Sequence, residues 1–232
     1  MAEHLTDEEQ LESLKRWWKE NGMQLVLIIA LSVGGWYAWQ QWQGNQKIKA
    51  EMASLVYIEM MDLASQAPLS TLPDAQREAM VEKSQLLKND YANTQYAHYA
   101  RLLLAKLAVA EKRFDDAAAE LQAVIDSTDG EELSYIARMR LARLEMGREN
   151  YTQALNVIEG DTPPAILASV AELRGDIHLL AGDQLAARAA YQSAIDALGS
   201  SDQRLSALLE LKLNQVLSAP TSVSDVSAGD QS

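Results

Sequence analysis

Residues Met23–Trp42 read MQLVLIIALSVGGWYAWQQW, without a single charged side chain. The nearest charges are Glu20 before the stretch and Lys47 after it. A helix rises about 1.5 Å per residue, so about 20 residues cross a hydrocarbon core about 30 Å thick. In lipid each backbone N–H and C=O must be paired within the segment, which leaves a helix as the structure available to a lone apolar stretch. Leu25, Val26, Leu27, Ile28, Ile29, Leu31 and Val33 each favour insertion by about 0.3–0.6 kcal/mol, together about 2–4 kcal/mol. One buried Lys or Arg would cancel most of that, and none is present. No face of the stretch is polar, which argues against a core helix of a soluble domain. The spacing predicts a transmembrane helix over 23–42.

The flanks fit the same reading. Trp17 and Trp18 lie before the span, and Trp36, Tyr37, Trp39 and Trp42 lie toward its end. Such rings are apolar with a polar edge and settle at headgroup level. Lys15, Arg16 and Lys19 precede the span and Lys47 and Lys49 follow it, which favours a cytosolic N-terminus by the positive-inside rule. The apolar run is longer than a signal-peptide core, and aromatics stand where a small-residue cleavage site belongs, so the segment reads as an uncleaved anchor. Residues 1–22 form a cytosolic lead, with Thr6-Asp7-Glu8-Glu9 in capping-box spacing and Leu11, Leu14 and Trp18 at helical spacing. Ala30, Gly34 and Ala38 recur every four residues. They are either a packing face for another membrane helix or the small residues common in any such span.

The 232 residues carry a net charge of −13 and no Cys. From Ala50 onward there are 15 Lys and Arg against 27 Asp and Glu, a net −12. That balance opposes nucleic acid, which requires a basic footprint, and opposes lying flat on anionic lipid. Thiolate catalysis, disulfides and Cys-based zinc sites are excluded.

Residues 43–94 read as a linker and leading helices. Gln43-Gly44-Asn45-Gln46 is an expected polar break. A 3.6-residue stripe (Ile48, Met52, Leu55, Val56, Met60, Leu63) then predicts a helix ending near Ala67-Pro68. A second helix is expected from Pro73-Asp74 to Asn89-Asp90.

Residues 95–217 carry internal repeats. Ala105 is followed twelve residues later by Ala117, Ala142 by Ala154, and Gly175 by Ala187, so the unit recurs at 37 and then 33 residues. Each unit reads helix, turn, helix, with turns at 111–114, 147–150 and 181–184. The large apolar residues Leu121, Ile158 and Tyr191 follow the second small one. Small residues let paired helices approach closely, and one hairpin cannot bury its own apolar face, so neighbours must stack. Arg204–Val216 reads as a closing cap helix and 218–232 as a disordered tail.

These positions resemble the tetratricopeptide repeat, with departures. The usual Trp near the fourth position is Arg101, Arg138 and Ala171, and the usual Ala at the twenty-seventh is Val124, Asp161 and Ala194. Gly160 and Pro163-Pro164, after a short second helix, are expected to distort the second unit. The resemblance implies an all-α solenoid whose first helices line a concave face. Projected onto this chain, that face carries Tyr99, Leu102, Lys106 and Val109, then Ile136, Met139, Arg143 and Met146, then Ser169, Glu172, Asp176 and Leu179. Either it holds an extended polypeptide, or its apolar members pack against neighbouring helices.

No phosphate-binding glycine loop, H-E-x-x-H or G-x-S-x-G is present, and His4, His98 and His178 form no cluster by spacing. A non-catalytic interaction module without cofactor is expected. The order of an acidic head, RWWKENG before the span, an aromatic-rich exit, YANTQYAHYARLLLAK and three repeats resembles the YfgM family, ancillary subunits of the bacterial SecYEG translocon. That resemblance implies an inner-membrane protein with a periplasmic repeat domain. It also implies association with SecYEG and the chaperone PpiD, and contact with unfolded polypeptides leaving the channel. A regulatory adaptor that controls the stability of a signalling protein through the cytosolic segment is the alternative.

Overall fold

A computed structural model describes residues 7–128, 132–199 and 202–218. The described residues form nine α-helices and no strand: α1 Asp7–Ser65, α2 Asp74–Asp90, α3 Gln95–Ala110, α4 Phe114–Ser127, α5 Glu132–Gly147, α6 Tyr151–Val157, α7 Leu167–Leu180, α8 Gln184–Leu198 and α9 Gln203–Ser218. Thr6 of the expected capping box and 219–232 of the expected tail lie outside them.

The 59-residue α1 is the first difference from the sequence reading. It runs through Gln43-Gly44-Asn45-Gln46, where a break was expected, so the anchor and the first leading helix are one rod about 90 Å long. The physical reason is cooperativity. A single Gly costs about 1 kcal/mol and Gln is a good helix former, whereas a break requires a second, costly nucleation. The four residues contain no Pro to force a stop. The span itself is lipid-accessible all round: of its most apolar 18-residue window, 6% is buried. The Ser32 hydroxyl within it is satisfied by donating to the Ile28 carbonyl at 2.8 Å.

Beyond the membrane segment the stack is built in steps. Ala53 and Met60 of α1 join Met80 and Leu87 of α2 and Ala100, Leu104 and Leu107 of α3 in one cluster. Leu102 and Ala105 of α3, Leu121 and Val124 of α4, and Leu141 and Leu144 of α5 form the next. Ala142, Ala154, Ile158 and Leu173 link α5, α6 and α7. Ala171, Ala187, Tyr191, Leu209 and Val216 link α7, α8 and α9. Helices α3, α5 and α7 therefore bury one side against the preceding unit and another against the following one, the nearest-neighbour construction of a solenoid.

The small residues sit where the repeat pattern requires them. Ala117, Ala142, Ala154 and Ala187 are fully buried, and so is Tyr191. The turns repeat at backbone level as well. Lys112 (φ 59°), Glu149 (φ 66°) and Gly182 (φ 84°) occupy the left-handed region at the same intervals as the helices. After each, an N–H reaches back to a helix carbonyl: Arg113 to Ala108, Asn150 to Glu145, Asp183 to His178, all at 2.8–2.9 Å. The second unit is short, as expected: α6 has seven residues, and the chain restarts through a 3-10 turn at Pro164–Ile166. The cap helix α9 closes the stack.

Candidate functional site

Helices α3 and α5 leave an open groove between them. Its volume is about 370 Å³, and it is lined by Leu102, Ala105, Lys106 and Val109 of α3, Leu121 of α4, and Arg140 and Leu144 of α5. It continues into a second hollow of about 360 Å³ that shares Val109, Arg140 and Leu144 and adds Phe114, Arg143, Gly147 and Arg148. The floor is apolar. Lys106 stands on one bank, and Arg140 and Arg143 stand on the other, all exposed.

The projected concave residues divide three ways. Leu102, Lys106, Val109 and Arg143 meet in this groove. Tyr99 lies one helical turn before Leu102 and packs elsewhere, in a cluster with Tyr57 of α1 and Tyr96, with ring centroids 5.8 to 6.2 Å apart. Burial and the neighbouring Tyr99 raise the Tyr57 pKa, and Arg140 partly opposes the rise. Ile136 is exposed on α5, one turn before Arg140. Met139 and Met146 turn away and pack against the cluster shared by α5, α6 and α7.

Glu172 and Asp176 are engaged within the chain. The Lys212 ammonium of α9 donates to Glu172 at 2.8 Å and to both Asp176 oxygens at 2.8 and 3.0 Å. The Tyr191 hydroxyl donates to Asp176 at 2.7 Å, and Lys212 lies 5.7 Å above the Tyr191 ring. Burial first, and then the Asp176 bond, push the Tyr191 hydroxyl well above its ordinary range. Burial pulls the Lys212 ammonium down, but the bonds to Asp176 and Glu172 outweigh it and hold its pKa above the usual lysine value. The third unit's inner face is thus covered by the cap, and the open part of the stack lies over the first two units.

Arg140 is the residue that sequence projection missed. It is four residues after Ile136 and three before Arg143, so it shares their face. Glu145, also unremarked in the sequence, is 1% exposed. Its carboxylate accepts from Asn150 at 2.7 Å and Arg148 at 3.3 Å, which ties the second repeat's turn to α5. In the span, Ala30, Gly34 and Ala38 are all exposed, and a Cβ built on Gly34 meets nothing within 4 Å. The described residues include no group of three or more His, Cys, Asp or Glu placed to hold a metal ion.

Comparison with known proteins follows this architecture. A family model described as a tetratricopeptide repeat-like domain matches residues 15–218. The chain is 30% identical over 210 residues to the ancillary SecYEG translocon subunit of Escherichia coli (strain K12), covering 90% of this chain and 96% of that one. It is 28% identical over 221 residues to the protein of the same name from Haemophilus influenzae, covering 93% and 100%. Among solved structures, BtubC (BKLC) from P. vanneervenii aligns with a TM-score of 0.46 at 16% identity, over 74% of this chain and 82% of that one. A family model spanning most of the chain, and a relative matched almost end to end, place it: the chain belongs to the tetratricopeptide repeat-like family whose curated relatives are named ancillary SecYEG translocon subunits.

Proposed function

We propose that this protein is an ancillary subunit of a SecYEG translocon, a non-catalytic module that assists polypeptides on the far side of the inner membrane together with the chaperone PpiD. In this reading α1 spans the bilayer with its N-terminus in the cytosol and carries the repeat stack on the periplasmic side. The observation that carries the proposal is the end-to-end match to relatives of that name, joined to a span of the right length at the start of the matched region. The open α3–α5 groove supplies a place for a polypeptide segment, either from an emerging chain or from PpiD.

The physical logic is one of location. Confinement to the membrane raises the effective concentration of a weak groove beside a channel exit, so modest intrinsic affinity suffices. The apolar floor fits this role, because it recognises side chains without demanding a defined sequence.

A photocrosslinking residue at Val109, exposed at the junction of the two hollows, tests the groove. Adducts with translocating chains or with PpiD are expected, and adducts with neither would overturn the groove's role. Orientation is tested in this Cys-free chain by Ser218→Cys. A membrane-impermeant thiol reagent is expected to label it in intact spheroplasts. Labelling only after lysis would put the repeats in the cytosol.

A further inference from the structure

We propose that the α3–α5 groove selects acidic polypeptide segments, with apolar side chains on the Leu102/Val109/Leu144 floor and carboxylates between Lys106 and the Arg140/Arg143 pair. This rests on the reading that the groove holds polypeptide, and it adds the chemical class of segment.

Acidic residues outnumber basic ones 33 to 20, and several cations of the stack are paired within the chain. Lys88 and Arg101 share Glu120, Arg113 takes Glu111 and Asp116, and Lys212 takes Glu172 and Asp176. Even Arg148, at the groove's far end, is bound to Asp115 at 2.8 Å and to Glu145. Lys106, Arg140 and Arg143 gather on one apolar groove: no described carboxylate pairs with any of them, and no acidic residue is among the described residues lining either hollow.

Arg140 and Arg143 are also like charges at i,i+3 on one helix, an arrangement that repels when nothing lies between them. A ligand carboxylate removes that repulsion and gains a charge-assisted hydrogen bond, with bidentate geometry available from either guanidinium. The apolar floor lowers the local dielectric and strengthens the attraction relative to open water. The chain's net charge of −13 disfavours such a segment over most of its surface, so the three clustered cations also set where it docks.

The test uses the full chain in nanodiscs and fluorescently labelled synthetic peptides of alternating Leu and Glu, Leu and Gln, or Leu and Lys, read by anisotropy. The Leu/Glu peptide is expected to bind about tenfold more tightly than Leu/Gln, with the preference erased in high salt. Arg140→Glu/Arg143→Glu, both on the surface, is expected to reverse the order in favour of Leu/Lys. Equal binding of all three peptides to the parent chain, or an unreversed order in the double variant, overturns the charge selection and leaves the groove as a polypeptide site. Absence of binding by any peptide overturns the polypeptide reading as well. Concentration-dependent self-association abolished by the same double variant would assign the groove to a second copy of this acidic chain and overturn the proposal.

Discussion

A Cβ built on Gly175 of α7 would lie 2.5 Å from Cε1 of Tyr191 on α8. The ring is fully buried, and its hydroxyl is held by Asp176, so it has nowhere to go. In the other two units the same crossing pairs Ala105 with Leu121 and Ala142 with Ile158, where a methyl fits because the partner is smaller. Gly175→Ala is therefore expected to destabilise the repeat domain. Overpacking costs about 1–3 kcal/mol and outweighs the roughly 1 kcal/mol that Ala gains over Gly in a helix. In a Tyr191→Leu background the same change should be neutral or stabilising, because the ring is gone. Denaturant unfolding of the four proteins in this cycle measures it, and additive effects would disprove the steric coupling.

The Lys212 cluster gives the domain a defined alkaline limit. Folded-state pKa values of both Lys212 and Tyr191 are raised. Each group therefore contributes stability that is complete below its unfolded pKa and lost as pH rises through its folded one. Both unfolded values lie near about 10, so the melting temperature should hold through neutral pH and fall from about pH 10 upward. Lys212→Met removes the ammonium's share of that slope but leaves the tyrosine's, and Tyr191→Phe does the reverse. Parallel alkaline profiles for parent and both variants would rule the cluster out as the cause.

Much of this architecture is legible in the chain because a solenoid is local. The pairs Ala105/Ala117 and Ala142/Ala154, fixed by hairpin geometry within twelve residues, each share a core cluster, and in the third unit Gly175 lies against Tyr191 of α8. The candidate surface was only partly legible, for two physical reasons. First, α5 packs on two sides at once, so a pattern taken from the repeat puts Met139 in the groove, whereas a rotation of one position puts Arg140 there and leaves Met139 half-buried against the cluster shared with α6 and α7. Second, Lys212 meets Glu172 and Asp176 across 40 and 36 residues, a contact set by how the cap lands rather than by any local period. The continuity of α1 was hidden because Gly and Asn read as breakers in isolation, yet they cost less than a break when helix is favoured on both sides.

That continuity has a measurable consequence. If α1 is one rod, the groove is held at a fixed height and azimuth relative to the membrane span. Spin labels at Gln43→Cys and Asp62→Cys, both exposed and in a chain without native Cys, are separated by 19 residues of helix, or about 29 Å between backbones. Pulsed dipolar spectroscopy should return a narrow distribution near that value. Asn45→Pro should broaden it, since proline removes a hydrogen bond and clashes with the preceding turn. A broad distribution in the parent chain would mean that the repeat stack swings freely on its anchor.

The rod also makes the span's small-residue face testable apart from insertion. Ala30, Gly34 and Ala38 share one side of α1, and within the chain the space over Gly34 is empty. Gly34→Ile should therefore fold and insert normally, with Ile favouring the bilayer by about 0.3–0.6 kcal/mol. If a helix of a membrane partner packs there, the added side chain holds the backbones apart, and recovery of the translocon on affinity purification should fall severalfold. Gly35 is equally open but lies about 100° round the helix, so Gly35→Ile controls for bulk and hydrophobicity. Undiminished recovery with Gly34→Ile, or equal loss with Gly35→Ile, would reduce Ala30, Gly34 and Ala38 to ordinary lipid-facing residues.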